Sequence, residues 1–251
     1  MSWRLCKKVS LPLLFVNLDK AGNSNTQERI DLLHMFHELF GFHRIRCLTA
    51  DREFVGQEWF QMLILNKIPF TIRAKENTAL PWGRHQKIQA QRLFAHLKTG
   101  EYRRVEKEMF GGTVYFAGTR NAEGELVIVM TNVNVQATKA FETYRKRWSI
   151  EELFRKLKTS GFHWENTHMT SPVRLDTLLI ILCFGLIIGY LAGLKVRIPW
   201  KRTVNAALYS VFKQGLRQLQ FWLARGLEKT TALGAELFKN PCKSLFSKND
   251  G

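Results

Sequence analysis

Between residues 11 and 75 the spacing of apolar side chains alternates between that of a strand and that of a helix, and this limits the fold more than any other feature. LPLLFVNL (11–18) is a short apolar run that stops at the turn-forming DKAGNSN, so it reads as a buried strand. A helix follows: Asn25 stands three residues before Glu28 in a capping pattern, and Ile30, Leu33, Phe36, Leu39 and Phe40 form its apolar face. Gly41 supplies the stop. RIRCLTA (44–50) has the period of a strand ending at Asp51; a second amphipathic helix near 54–66 leads into a third strand, IPFTIRAK (68–75). Such alternation predicts an α/β fold, a sheet packed with crossover helices.

After Glu76 the pattern changes. PWGRHQKIQAQRL is polar and basic, and GGTVYFAGTRNAEGELVIVMTN is two β-rich runs around an AEGE turn, so 80–132 reads as a β-rich insertion. From Ala140 the period is helical again, and Gly161 stands in a terminating position. The run Thr177 to Leu194 is 18 uncharged residues with Gly185, Gly189 and Gly193 spaced by four. Small residues at that spacing let helices approach closely in membranes and in soluble cores alike. The run is shorter than a usual span of about 20 residues and has no aromatic belt beyond Tyr190 and Trp200, so a buried core helix is the expectation.

The chain carries 38 Lys and Arg against 21 Asp and Glu, a formal charge of +17. That balance excludes acidic and disordered classes and calls for a polyanionic partner, nucleic acid or an anionic membrane surface. The segment from Lys195 to Gly251 contributes 11 basic and 3 acidic residues to it. Cys6, Cys47, Cys183 and Cys242 show no Cys-x-x-Cys spacing, which fits a reduced, cytoplasmic protein. LPLLFV is too short for a signal-peptide core.

The chemistry concentrates in YRKRWSIEELFRKLK. On a continuous helix Tyr144, Arg147, Glu151 and Lys158 fall within an arc of roughly 60°. Ile150, Leu153, Phe154 and Leu157 on the adjacent arc would seat that helix on a core. Glu151 suits a hard divalent cation, Arg147 and Lys158 suit phosphates flanking it, and Tyr144 adds a hydroxyl and a stacking face. A solvated helix with mutually paired charges has the same composition, but the spacing Tyr-x2-Arg-x3-Glu-x6-Lys is rare by chance. Asp51, just past a strand end, stands where α/β sheets place their sites, although a turn or cap residue stands there too.

These residues resemble the DDE-type bacterial transposases of the insertion-sequence-four group. The likeness rests on the Tyr144, Arg147, Glu151, Lys158 signature, on LTADREF with Asp51, and on DKAGNSNTQERI, with NTHMTSPVRLDTLL and KRTVNAALYSVFKQGLRQL extending it over roughly residues 11–220. The resemblance implies a ribonuclease H-like core with a β-rich insertion and a helical C-terminal region. It divides the chain into a partial core (1–76), the insertion (77–135), core helices with the signature (136–195) and a basic helical segment (196–251). It implies metal-dependent DNA strand cleavage and transfer with Mg²⁺, or Mn²⁺ in its place, held by Asp51 and Glu151. Tyr144, Arg147 and Lys158 would grip the DNA. The implied partner is double-stranded DNA, transposon ends and target, bound by a homodimer at the bacterial nucleoid and not at a membrane.

The family's first catalytic Asp lies upstream of the matching stretch, and neither Asp19, in the turn segment, nor Asp31, in a helix's first turn, replaces it. The expectation is therefore an N-terminally truncated transposase, poorly stable alone, with residues 11–18 lacking a sheet partner and a bare edge on the strand ending at Asp51. Two carboxylates are too few to hold two divalent ions. This opens the alternatives: a non-catalytic DNA-binding or dimerising remnant, or a basic membrane-associated protein built on Thr177 to Leu194. Trp82 and Trp148 are expected to be buried, stacking on an unpaired base being the other use; Cys47 is expected to be a small buried hydrophobe within a strand. His34 and His37 lack a third ligand. Arg52 either binds phosphate or pairs with a carboxylate, and Arg84, His85, Lys87 and Arg92 either touch DNA or form a solvated face.

Overall fold

The computed structural model describes residues 2–6, 9–18, 20, 22–159, 167, 169, 171–196, 200–201, 206–207 and 210–226. Asp19, Gly161 and the segment after Gly226 lie outside these residues. In chain order the strands are β1 (Ser2–Cys6), β2 (Val9–Pro12), β3 (Leu48–Ala50), β4 (Phe70–Arg73), β5 (Ala79–Trp82), β6 (Gln86–Gln89), β7 (Tyr102–Met109), β8 (Gly112–Arg120), β9 (Leu126–Thr131), β10 (Trp200–Lys201) and β11 (Ala206–Ala207). The helices are α1 (Thr26–Phe40), α2 (Gln57–Leu65), α3 (Ala90–Leu93), α4 (Ala137–Arg145), α5 (Trp148–Thr159), α6 (Pro172–Leu194) and α7 (Val211–Ala224). They form two units: Leu14–Glu151, and Ser2–Leu13 together with Glu152–Gly251.

The first unit is built on a five-stranded sheet of order β3-β4-β9-β8-β7. β3 and β4 are parallel, joined by the crossover helix α2, and the remaining neighbours are antiparallel. The expected insertion is thus continuous with the α/β part. β9 lies directly against β4, and Asn132 extends their ladder by accepting from the Phe70 N–H at 2.9 Å and donating to the Ile68 carbonyl at 2.9 Å. Alternation along the strands separates the two faces. Phe70, Ile72, Val114, Phe116, Ile128 and Met130 point into a core shared with Leu33, Trp59, Phe60, Leu63 and Phe94. Ala117 and Val129 point the other way, against Ala137, Ala140 and Phe141 of α4. Small side chains on both partners let α4 lie close to the sheet, and that closeness brings its C-terminal end toward β3.

Several elements differ from expectation. The strand RIRCLTA is cut to Leu48–Ala50, because Phe42–Arg44 form a 3₁₀ turn closed by the Ile45 N–H on the Phe42 carbonyl. Cys47 therefore precedes the strand and is only half-buried, its Sγ 3.6 Å from Thr71 Oγ1; desolvation raises its thiol pKa. The first helix starts with the expected reciprocal cap: the Glu28 N–H donates to Asn25 Oδ1 at 2.9 Å, and the Asn25 N–H to Glu28 Oε2 at 2.7 Å. Leu33 and Phe36 are buried, but Leu39 and Phe40 are exposed, since the last turn extends past the core. Among the described residues β3 is a sheet edge, as expected, with β4 as its neighbour.

In the second unit, strand structure covers Val9–Pro12 instead of 11–18, and it has a partner in β1. Pro12 lacks the N–H that would carry the ladder further. Leu11 packs with Leu153 and Leu157 of α5, Leu182, Leu186 and Tyr190 of α6 and Phe212 of α7. Helices α6 and α7 cross where Gly193 faces the Val211 backbone and Gly215 faces the Gly189 carbonyl; a Cβ on either glycine would overlap main-chain atoms. Only part of α6 is a core helix. Less than half of its most apolar window is buried, while Val173, Ile180, Ile181 and Phe184 are exposed. It is long and apolar enough to cross a membrane by length and composition.

Candidate functional site

The site lies at the carboxyl end of β3, where the chain leaves the strand at Asp51. Its loop is anchored from below by Arg29, in the first turns of α1. The buried Arg29 guanidinium donates to the Glu53 carbonyl at 2.9 Å, to Ser24 Oγ at 3.0 Å and to the Ser24 carbonyl, and it lies 4.6 Å from the centre of the Phe54 ring. One side chain thereby ties the NSNTQERI segment to the ADREF segment, two motifs 20 or more residues apart in the chain. Asp51 itself folds back locally, Oδ1 accepting from the Arg52 N–H at 2.7 Å and leaving Oδ2 outward.

The second wall comes from the α4–α5 junction. The expected continuous helix is interrupted: α4 ends at Arg145, and Lys146 and Arg147 form a turn before α5 begins at Trp148. Bonds of i→i+3 type run through the break, from the Lys146 N–H to the Thr143 carbonyl, Arg147 to Tyr144, Ser149 to Lys146 and Ile150 to Arg147. Ser149 Oγ also donates to the Lys146 carbonyl at 2.7 Å, competing for an acceptor that regular helix would use. The 60° arc computed for an unbroken helix does not survive this break. A tightened turn still stacks residues three apart, so Arg147 sits over Tyr144 at 5.5 Å from its ring centre.

Arg147 joins the two carboxylates. Its Nη2 is 2.6 Å from Glu151 Oε1 and its Nη1 is 4.0 Å from Asp51 Oδ2. The Arg147 side chain is 17% exposed, whereas Asp51 and Glu151 are 45% and 41% exposed, so a covered cation faces two accessible anions. Burial disfavours the guanidinium charge, but Tyr144, Glu151 and Asp51 outweigh it and hold the Arg147 pKa above its ordinary value. Burial raises the Tyr144 phenol, with Asp51 adding to the rise and Arg147 and Arg73 opposing it. The Arg147 Nε–H is buried and has no hydrogen-bond partner among the described residues, which leaves capacity for another acceptor.

Sequence reading missed Arg73. The parallel register pairs Ala50 with Ile72, so the next residues on the two strands are Asp51 and Arg73. The last residue of β4, in parallel register beside the first residue past β3, is the position that would have found it. Arg73 and Arg52 line an open cleft of about 620 Å³ together with Arg92, Arg120, Glu76 and Glu125. Arg120 is fixed there by the carbonyls of Leu97 and Gly124, each at 2.8 Å. Arg52 also lies 3.9 Å from Glu53, the carboxylate pairing that was one of the two uses foreseen for it. Lys158, exposed in the later turns of α5, belongs to the second unit. Trp82 and Trp148, expected to be buried, are 46% and 62% exposed, because neither reaches one of the apolar clusters.

Asp51 and Glu151 are hard oxygen donors of the kind Mg²⁺ and Mn²⁺ take, and both face the Arg147 guanidinium. Among the described residues no three His, Cys, Asp or Glu side chains cluster closely enough to share an ion.

A model of the transposase DDE domain matches residues 9–188, a span holding Asp51, Tyr144, Arg147, Glu151 and Lys158. The chain belongs to that family, which implies a ribonuclease H-like core and a DNA transposase type of activity. No curated protein sequence matches the chain.

Proposed function

We propose that this chain is a transposase of the insertion-sequence-four group, acting on transposon-end DNA at the bacterial nucleoid by metal-dependent strand cleavage and transfer. The observation that carries the reading is the Arg147 guanidinium set between Asp51 and Glu151 at the end of β3. Asp51 and Glu151 would hold the divalent cation, Mg²⁺ or Mn²⁺, and the charge neutralisation it would supply when bound would favour attack on a phosphodiester. Arg147 has a charge held firmly by its neighbours and a free donor, and it holds a phosphate next to the scissile one. Tyr144, whose phenol burial holds in the neutral form, donates its hydroxyl to the same strand. Arg73, Arg52 and Arg92 continue the cationic path along the cleft, and Lys158, on the second unit, is a further cation for phosphate.

The test is cleavage of duplexes taken from the DNA flanking the coding sequence, in Mg²⁺ and in Mn²⁺, beside binding of the same duplexes. Cleavage lost in both Asp51→Asn and Glu151→Gln, with binding retained, supports the assignment. Cleavage that persists in either variant overturns it.

A second reading rests on the ligand set, two carboxylates and no third among the described residues. It is a DNA-binding or dimerising protein that occupies transposon ends without cutting them. Salt-dependent binding with no cleavage in either metal favours it.

A further inference from the structure

Strand β7 closes one end of the five-stranded sheet, and among the described residues no strand pairs with its outer side. The edge at the other end, β3, is three residues long. β7 runs for eight, from Tyr102 to Met109, without a proline and without a bulge in its register with β8. Short length, proline and bulges are the usual means of keeping a sheet edge from pairing with another chain, and β7 has none of them. Charge is a further means, but here the signs are separated along the strand: Arg103 and Arg104 stand toward one end, Glu106 and Glu108 toward the other.

The turn after β7 fixes which backbone groups face outward. Phe110 and Gly111 form a two-residue loop with φ of 59° and 88°, the type I′ geometry, whose flanking pair Met109 and Gly112 exchanges both N–H and C=O. In steps of two from Met109, Lys107, Val105 and Arg103 bond to β8. Glu108, Glu106, Arg104 and Tyr102 therefore turn their N–H and C=O to the free side, and an incoming strand must bond through them. For a second β7 laid antiparallel, centring on residue 104 sets Arg104 against Arg104, and centring on residue 106 sets Glu106 against Glu106. Centring on Val105 sets Arg104 opposite Glu106 and Tyr102 opposite Glu108, each twice, on one face of the sheet.

The side chains are placed for that register. Arg104 is exposed but held: Nη1 donates to Asn134 Oδ1 and to the Val135 carbonyl, and the guanidinium lies 4.7 Å from the centre of the Tyr115 ring. Glu106 is exposed and makes no ion pair among the described residues. On the opposite face the register brings Arg103 near Lys107, but each turns onto its own chain, Arg103 donating to the Leu93 carbonyl at 3.2 Å and Lys107 to the Pro81 carbonyl at 2.9 Å.

We propose that the β7 edge joins two copies of this chain, paired antiparallel about a two-fold axis at Val105, with Arg104 of each copy facing Glu106 of the other. The two five-stranded sheets then become one, and β3 with Asp51 stays at each outer edge of it. The pairing stands apart from the transposase reading, since neither DNA nor metal takes part in it.

The test is the mass of the full chain by sedimentation equilibrium, with thermal unfolding of each variant beside it. The unaltered chain should form a dimer of twice 29.2 kDa that dissociates on dilution. Glu106→Arg and Arg104→Glu should each weaken that dimer about tenfold or more, because each variant sets two like-charged pairs across the junction. Mixed with each other, the two variants should recover the dimer, since one then offers two basic side chains where the other offers two acidic ones. A monomeric unaltered chain overturns the proposal. So does a dimer that Glu106→Arg leaves intact, and so do variants that fail to recover on mixing while both remain folded. Arg104→Glu also loses the contacts to Asn134 and Val135; if it unfolds, Glu106→Arg decides alone, because Glu106 makes no ion pair in its own chain among the described residues.

Discussion

The two segments that meet at the site are built in opposite ways. The loop after Asp51 is fixed through main chain: a buried guanidinium from α1 satisfies the Glu53 and Ser24 carbonyls, and Lys75 adds an outer contact to Glu53 at 3.5 Å. The stretch from Tyr144 to Glu151 is a helix broken for two residues, and its functional groups are held by charge on one side chain, Arg147. A main-chain anchor made by a buried guanidinium resists salt and ligand, because removing it leaves partly buried acceptors without their donor. A charge-held junction responds to both, since half-exposed ion pairs are screened and can be exchanged for another ion. On the proposed function, Asp51 would be the fixed reference, and Arg147 with Glu151 the part that yields to metal or phosphate.

The comparison breaks most visibly at Arg29. Arg29→Met removes three hydrogen bonds of a buried guanidinium and leaves partly buried carbonyls without that donor, with an expected loss of about 2 kcal/mol in urea unfolding. Arg29→Lys should recover little, because an ammonium cannot reproduce the planar fork. If Arg29→Met proves neutral, the loop is held by something other than its main chain.

At the junction, Arg147→Lys should weaken DNA binding about tenfold while changing stability by less than about 1 kcal/mol, as read by anisotropy beside thermal unfolding. A stability loss as large as that of Arg29→Met would erase the distinction between the two walls.

The Tyr144 phenol sharpens the contrast through pH. Its folded pKa is raised, so the native state favours the neutral form; that contribution is whole below the ordinary value near 10 and is lost as pH rises through the raised value. An ultraviolet titration should show one phenol ionising late, and Tyr144→Phe should remove that step.

The smallest effect belongs to Glu151. Glu151→Gln should change stability by about 0.5 kcal/mol or less and flatten its salt dependence, because the lost ion pair is 41% exposed on its acidic side.

Much of this was readable from local pattern. The Asn25–Glu28 cap, the strand ending at Asp51, the crossover helix and the hairpin around AEGE depend on neighbouring residues, and each is present. The signature residues were found by spacing, although the helix assumed in placing them is broken at Lys146 and Arg147. The exposure of Trp82 and Trp148 was not readable, because burial of an aromatic depends on whether another element arrives over it. Nor was the divided character of α6: its run is apolar on all sides, so no periodicity shows which face packs on α7.

By itself, the order of residues determined the capped helix after Asn25, the strand that ends at Asp51 and the crossover helix behind it, the large positive charge and the chemical types set at positions 51, 144, 147 and 151. These are matters of short-range geometry and composition, which neighbouring residues encode directly. Only tertiary structure decided that Arg29 reaches the loop beyond Asp51, that Arg73 stands beside Asp51 in register, and that one guanidinium serves two carboxylates 100 residues apart. Those contacts depend on strand pairing and on how close α4 can pack against the sheet, quantities set by the shapes of distant side chains once the core has closed.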